Sequence, residues 1–336
     1  MEDKLAKCIN LKTTDYVPIW FMRQAGRYLP EFREIRKQNP DFIKLCLNER
    51  LSAEISLQPI RRFDLDAVII FSDILMIPYG LGQKIEFKKG IGPILEDLDF
   101  NIIINTKPND FIEKLSPIYQ AIKRVKKDIK GKNLIGFAGA PWTLLMYMLN
   151  KQSPKNSFDI NNIIKSKSLM RDLILKLENI IFLHTKEQIK AGADIIQIFD
   201  SWAGLLPKDK LSEYCYIPTS KIVKNIKSLQ TPVICFPKGI GENYINFCSV
   251  VKPSCISIDY EVDPQWIKEK LNGIPVQGGI DPKILLGDKK EIKKNTEKYL
   301  NIFKDCPYIF NLGHGVLTET KPETIEYIIQ IIRSKK

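Results

Sequence analysis

The stretch Ile195-Ile196-Gln197-Ile198-Phe199-Asp200-Ser201-Trp202-Ala203-Gly204 decides the fold. Its apolar part, Ile195–Phe199, is too short for a core helix and the right length for a strand buried on both faces. Polar residues and a glycine end the run. Before it lies the long amphipathic pattern Ser166–Ala191, and after it the pattern Ser212–Ile226. Helix, short apolar strand, polar loop, helix is the repeating unit of a parallel sheet, because parallel neighbours need a crossover between them.

The unit recurs in both directions along the chain. Further apolar runs stand at Val17–Phe21, Ala67–Phe71, Leu134–Ala138, Pro232–Phe236, Cys255–Ile258, Ile274–Gln277 and Tyr308–Asn311, which makes eight in all. Helical patterns at Asp41–Arg62, Asn109–Ile129, Glu242–Val251 and Ile292–Phe303 fall between them. Eight such units predict an α/β chain with one domain over residues 1–336, a (β/α)8 TIM barrel. Its active site is then expected at the C-terminal ends of the strands. A doubly wound open sheet is the alternative, but no Gly-x-Gly-x-x-Gly follows the first run.

The residues just past each run support the barrel. In chain order they are Arg23, Ser72-Asp73, Gly139-Ala140-Pro141-Trp142, Asp200-Ser201-Trp202, Pro237-Lys238-Gly239, Asp259-Tyr260, Gln277-Gly278-Gly279 and Asn311-Leu312-Gly313-His314-Gly315. Polar or glycine residues at every position are what loops lining one common site require.

Composition narrows the function classes. The chain has 336 residues, 44% of them hydrophobic, and 51 basic against 39 acidic residues give a net charge of +12. The lysines are spread along the chain instead of forming one stripe, which argues against a nucleic-acid binder and leaves steering of an anionic small molecule. Seven cysteines at irregular spacing, with no Cys-x-x-Cys pair, predict reduced thiols in a cytoplasmic protein. Met1–Lys7 lacks a signal-peptide core, and the longest uncharged apolar run, Leu134–Leu149, is interrupted by Gly139 and Pro141. A membrane span is therefore not expected.

Trp20-Phe21-Met22-Arg23-Gln24-Ala25-Gly26-Arg27-Tyr28-Leu29-Pro30-Glu31-Phe32-Arg33-Glu34-Ile35-Arg36 follows the first run and concentrates arginine in a chain whose bases are mostly lysine. A guanidinium fork pairs carboxylate or phosphate bidentately, so Arg23, Arg27 and Arg36 read as a polyanion clamp, with Gly26 making the turn. Arg33, beside Glu31 and Glu34, reads as solvated. Of the two histidines, His184 lies mid-helix and reads as structural, whereas His314 is flanked by glycines after the last run. Asp73 puts a carboxylate at the end of an apolar strand, which is costly unless something donates to it. It could meet an arginine, a metal or a ligand rich in N–H groups; a cap for the following turn is the structural alternative. No zinc ligand set and no Walker, thiamine, pyridoxal or nicotinamide signature is visible, so no metal and no cofactor are expected.

Five blocks, Arg23–Glu31, Phe71–Leu75, Gly139–Leu144, Phe199–Gly204 and Asn311–Gly315, resemble, in order, those of the uroporphyrinogen decarboxylase family. The resemblance covers the chain from about residue 1 to the C-terminus. It implies a cytosolic, cofactor-free TIM barrel, usually a homodimer, that converts the four acetate arms of uroporphyrinogen III to methyls, giving coproporphyrinogen III for haem. It further implies that Arg23, Gln24, Ala25, Gly26, Arg27 and Arg36 bind the carboxylate-rich substrate, Ala25 through its main-chain N–H. Tyr147, Ser201 and His314 add hydrogen bonds, and Asp73 accepts from the pyrrole N–H groups and stabilises the cationic ring. Some family members carry a histidine directly after the serine of the fourth block, where this chain has Trp202. The nearest rival, a zinc-dependent corrinoid methyltransferase on the same barrel, carries His-x-Cys after its fifth strand; here Val233-Ile234-Cys235-Phe236 lacks the histidine.

Overall fold

The structure, a computed structural model, describes residues 4–13, 15–88, 90–154 and 167–334. Its strands are β1 Ala67–Ile69, the antiparallel hairpin β2 Ile85–Lys88 and β3 Gly92–Leu95, β4 Asn133–Gly139, β5 Ile195–Asp200, β6 Val233–Pro237, β7 Cys255–Ile258, β8 Val276–Gly278 and β9 Tyr308–Ile309. Seven of them form one curled, wholly parallel sheet in the order β1-β4-β5-β6-β7-β8-β9. Each takes up a predicted apolar run with small shifts at its ends. β1, β6, β7, β8 and β9 are buried at every position because helices cover one face and the sheet's own interior covers the other.

The first run departs from expectation. Val17–Phe21 is not a regular strand: Ile19 alone bridges, parallel to Phe310. Pro18 has no N–H to give, and the Ile19 N–H goes to the Asp66 carboxylate at 2.8 Å instead of to a neighbouring carbonyl. The segment still touches both edges of the sheet. Pro18 O accepts from the Phe310 N–H at 2.8 Å, and Ile19 O accepts from the Asp66 N–H at 2.9 Å.

Helices occupy the predicted crossovers. Asp41–Arg62 divides into Phe42–Cys46 and Glu49–Arg62, because the Asn48 side chain accepts from the Arg50 and Leu51 N–H groups and starts a new helix. The Ser212–Ile226 pattern opens with the π turn Ser212–Tyr216 and continues as helix Ile217–Lys227. Helix Pro108–Asp128 fills the second predicted crossover, and Tyr244–Val251 and Lys289–Ile302 fill later ones. Lys167–Ala191 is helical, while the expected first residue, Ser166, lies outside the described residues. No helix among the described residues is long and apolar enough to cross a membrane.

The interior of the curled sheet is a separate apolar column of Trp20, Met22, Ile69, Ile135, Ile195, Ile234, Phe236 and Ile309. Burying each such side chain is worth roughly 1.5–3 kcal/mol. Gln197, the polar member of the β5 run, serves a buried chain: Trp20 Nε1 donates to Gln277 Oε1 at 2.9 Å, and Gln277 Nε2 donates to Gln197 Oε1 at 3.1 Å and Ser257 Oγ at 3.0 Å. Helix Lys4–Asn10 adds Leu5, Cys8 and Ile9 to the column. The Leu5 N–H donates to Asn133 Oδ1 at 3.1 Å and the Cys8 thiol lies against Tyr308 O, both at strand starts. This helix stoppers the N-terminal end of the sheet, and chemistry is left to the other end.

Candidate active site

The turn after Phe21 is built by Gln24. The Phe21 N–H donates to Gln24 Oε1 at 2.8 Å, Gln24 N–H returns to Phe21 O at 2.9 Å, and Gln24 Nε2 donates to Ala67 O at 3.0 Å. Gln24 is fully buried and its amide is committed to this turn, so its side chain faces no ligand. Gly26 has φ +77°, and a Cβ there would stand 2.2 Å from the Phe71 ring, so a side chain is excluded twice over. Just before Gln24, Arg23 holds φ +60°, a left-handed conformation that costs a non-glycine residue roughly 1–2 kcal/mol. The N–H of Ala25 has no partner among the described residues and remains a donor.

That turn is stitched to the loop after β9. Met22 O accepts from the Val316 N–H at 2.9 Å and Arg27 Nη1 donates to Val316 O at 2.7 Å. The Arg23 stem lies over Gly315, where a Cβ would be 2.5 Å from Arg23 Cδ. Arg23 is thereby brought next to His314, whose ring meets Phe236 edge-on at 6.5 Å. Burial pushes the His314 pKa down to about 3, and Arg23, Lys238 and Arg27 push in the same direction. The ring is neutral at physiological pH. Arg27 is lowered to about 10 by burial and by Arg23, against the pull of Glu319, and stays charged.

Asp73 stands past the end of β1. Its Oδ1 accepts from the Leu75 N–H at 2.9 Å and its main-chain oxygen from the Met76 N–H at 3.1 Å, so it caps the turn into helix Met76–Gly80. The second carboxylate oxygen has no partner among the described residues. Burial raises the Asp73 pKa, opposed by the Leu75 N–H and by Arg23. The buried Cys46 thiol, raised by its own burial, is raised further by Asp73 and lowered by Arg36, so both charges stand near it. Arg36 donates to Asn39 O at 2.6 Å, lies over the Phe42 ring, and borders an open groove of about 860 Å³ shared with Arg33, Lys37 and Lys88. Arg33, expected to be merely solvated, donates to Thr318 O at 2.6 Å and helps to hold the loop that Arg27 holds.

Arg23 thus lies near Asp73, and Arg23 and Arg27 near His314, in the loops that follow the strands. Residues 1–335 match the family model for uroporphyrinogen decarboxylase (URO-D). The chain belongs to the uroporphyrinogen decarboxylase family. It is 42% identical to the uroporphyrinogen decarboxylase of Rickettsia bellii over 321 residues, 94% of each chain. It is also 42% identical to that of Rickettsia africae over 329 residues, 94% of this chain and 93% of the relative. A solved methyltransferase from Methanosarcina mazei superposes with a TM-score of 0.80 over 98% of this chain and 97% of its own, at 16% identity, which is a likeness of fold alone.

In this member of the uroporphyrinogen decarboxylase family the far wall is set by β4 and β5. Thr143 Oγ1 donates to Asp200 Oδ1 at 2.6 Å and accepts from the Trp202 N–H at 3.1 Å, while Trp142 Nε1 donates to Trp202 O at 2.9 Å. Burial raises the Asp200 carboxyl to about 6, against the hydrogen bonds from Thr143 and Cys215. These contacts fix the loop bearing Ser201, which is half-buried. Tyr147 is half-buried too, its ring edge-on to Trp202 at 6.1 Å and its hydroxyl 3.5 Å from Ser153 Oγ. Cys235, the cysteine of the methyltransferase comparison, is buried, and burial first and Cys248 next raise its thiol well above its ordinary value. No group of three or more His, Cys, Asp or Glu side chains is placed to hold a metal ion among the described residues. Thr143 and Asp200 were not singled out as site residues from sequence, although the polar ends of their runs were the available signal.

Proposed function

We propose that the loops after the strands form the mouth where the chain, a carboxy-lyase by its family, takes the four acetate arms of uroporphyrinogen III to methyl groups, giving coproporphyrinogen III. The observation that carries the reading is the pairing of one carboxylate, Asp73, having an oxygen free among the described residues, with the nearby Arg23, and beside Arg23 a second guanidinium, Arg27, whose opposing charge is the exposed Glu319. A substrate with eight carboxylates on its rim and N–H groups at its centre is complementary to that pairing. Arg23, Arg27 and Arg36 take rim carboxylates, the Ala25 N–H, Tyr147 and Ser201 add hydrogen bonds, and neutral His314 donates one. Gly26 serves by its turn and Gln24 by bracing it.

The reaction needs a proton on the pyrrole α-carbon next to the one that bears the acetate arm, which leaves the arm-bearing carbon conjugated to the cationic ring. The ring then carries positive charge, and the carbon–carboxyl electron pair flows into it as carbon dioxide leaves. A second proton, taken up at the exocyclic carbon as ring-carbon protonation is reversed, completes the methyl group. Because the ring holds the electron pair, the step asks for no cofactor. A fixed carboxylate at Asp73 favours the cationic ring over the neutral substrate, which lowers the barrier without tightening ground-state binding.

The Pro18–Trp20 segment, bonded to both edges of the sheet, serves on this reading as the eighth stave of one barrel domain over residues 1–336. Seven free cysteines, six of them buried, suit a reduced cytosolic protein, and the family reading adds a homodimer. The test is anaerobic incubation with uroporphyrinogen, following carboxylate loss in single turnover for the native chain and Asp73→Asn. Asparagine keeps the cap and loses the charge, so the rate should fall by a factor on the order of 10²–10³ with little change in melting temperature. A near-native rate would sink the catalytic role of Asp73, and no turnover by the native chain would sink the function itself.

A further inference from the structure

We propose that Lys238 is a further carboxylate-binding residue of the mouth, gripping the tetrapyrrole rim from the wall opposite Arg23 and Arg27. The inference rests on the function proposed above and assigns it one more subsite. Ile234 and Phe236 of β6 point into the interior column, and Phe236 is the residue on which His314 rests. Lys238 is the first residue past β6, in the turn at the open end of that column. The ammonium is one of the charges felt at His314, together with Arg23 and Arg27, and lies 6.0 Å from the centre of the Tyr260 ring.

The backbone beneath Lys238 is held from three sides. Its N–H donates to Asp200 O at 3.1 Å, its carbonyl accepts from the Gly204 N–H at 2.9 Å, and the next N–H, of Gly239, donates to Asp259 Oδ2 at 2.7 Å. A Cβ on Gly204 would lie 2.6 Å from Gly239 O, so the two loops meet backbone to backbone. The lysine therefore starts from a rigid base. Its charge, however, has no ion partner among the described residues. The nearby acids are already engaged: Asp259 accepts from Gly239, Tyr244 and Glu261, and Asp200 faces Thr143 and Cys215. A half-buried cation held among other cations with no counter-ion is what a polyanion-binding wall requires. The acetate and propionate carboxylates of the rim are the anion that this site supplies for itself.

The experiment measures KM for uroporphyrinogen and Kd for coproporphyrinogen, both under anaerobic conditions, with melting temperatures, for the native chain, Lys238→Met and Lys238→Arg. Lys238→Met should raise KM about tenfold or more at an unchanged melting temperature, and Lys238→Arg should stay within about threefold of native. If coproporphyrinogen binding weakens equally, Lys238 holds an arm that keeps its carboxylate; if only KM changes, it holds a departing one; both support the proposal. Native KM in Lys238→Met, or a Lys238→Arg variant as weak as Lys238→Met, overturns it while the native chain still turns over. A native chain that neither binds nor decarboxylates the tetrapyrrole overturns the function and this subsite together.

Discussion

His314 shows how far a residue's role depends on its neighbours. Two flanking glycines mark it as accessible, yet burial and three cations make it a neutral ring whose pKa is near 3 instead of 6.5. In the ligand-free chain it is a neutral ring that can orient a carboxylate. His184, bonded through Nδ1 to the Tyr119 hydroxyl at 2.9 Å, is lowered to about 3 by burial alone. Below pH 6.5 the unfolded chain takes up protons on both rings that the native chain refuses. Their contribution to stability is thus present above pH 6.5 and is lost progressively as the pH falls toward 3. Denaturant melts from pH 7 to pH 4 should show this loss, and His314→Asn should make the decline shallower. Bound substrate should reverse the shift at His314 alone, raising its pKa in an NMR titration as carboxylates arrive beside it.

At the scale of elements, what was legible in the sequence is what burial makes uniform. Strands covered on both faces are apolar except where buried polar side chains bond one another, as Gln197, Ser257 and Gln277 do, so seven runs were found from their pattern along the chain. β2 and β3 were missed because Ile85-Glu86-Phe87-Lys88 alternates half-buried with exposed positions, a weaker signal than a continuous run. The first run was read as a strand because its residues are apolar, whereas its hydrogen bonds depend on Pro18 and on a distant carboxylate. The mouth was legible for the same reason as the strands: polar residues closing apolar runs stand out. Lys238 was among them, but as one lysine in a lysine-rich chain it was given no role of its own. Asp66 is the element that substitutes for a regular ladder: besides Ile19 it takes the Tyr16 hydroxyl at 2.9 Å and Arg333 Nη2 at 2.7 Å. Asp66→Ala leaves Arg333 with only the exposed Asp64 as ion partner and the Ile19 N–H and Tyr16 hydroxyl unsatisfied, and should destabilise the chain by roughly 3 kcal/mol in urea melts. An effect below about 0.5 kcal/mol would mean that the first run is held by apolar packing alone.

Over the whole molecule, the two ends of the sheet are divided by task. The end stoppered by helix Lys4–Asn10 carries packing and the ion pairs of Asp64, Asp66 and Asp194, while every residue assigned to the substrate is placed at the other. Asp66 has one more consequence. Lys4 reaches it at 3.6 Å and Arg333 at 2.7 Å, so the first and last helices of the described chain come together at one carboxylate. The polypeptide is close to a loop in space, and the place where it opens is arbitrary with respect to the chemistry. A circular permutant that joins the residues around 4 and 334 by a short flexible linker, with new ends cut in the β2–β3 turn near Ile91, should fold and keep its kcat. Loss of folding in that permutant would show that helix Lys4–Asn10 must begin the chain in order to seat itself.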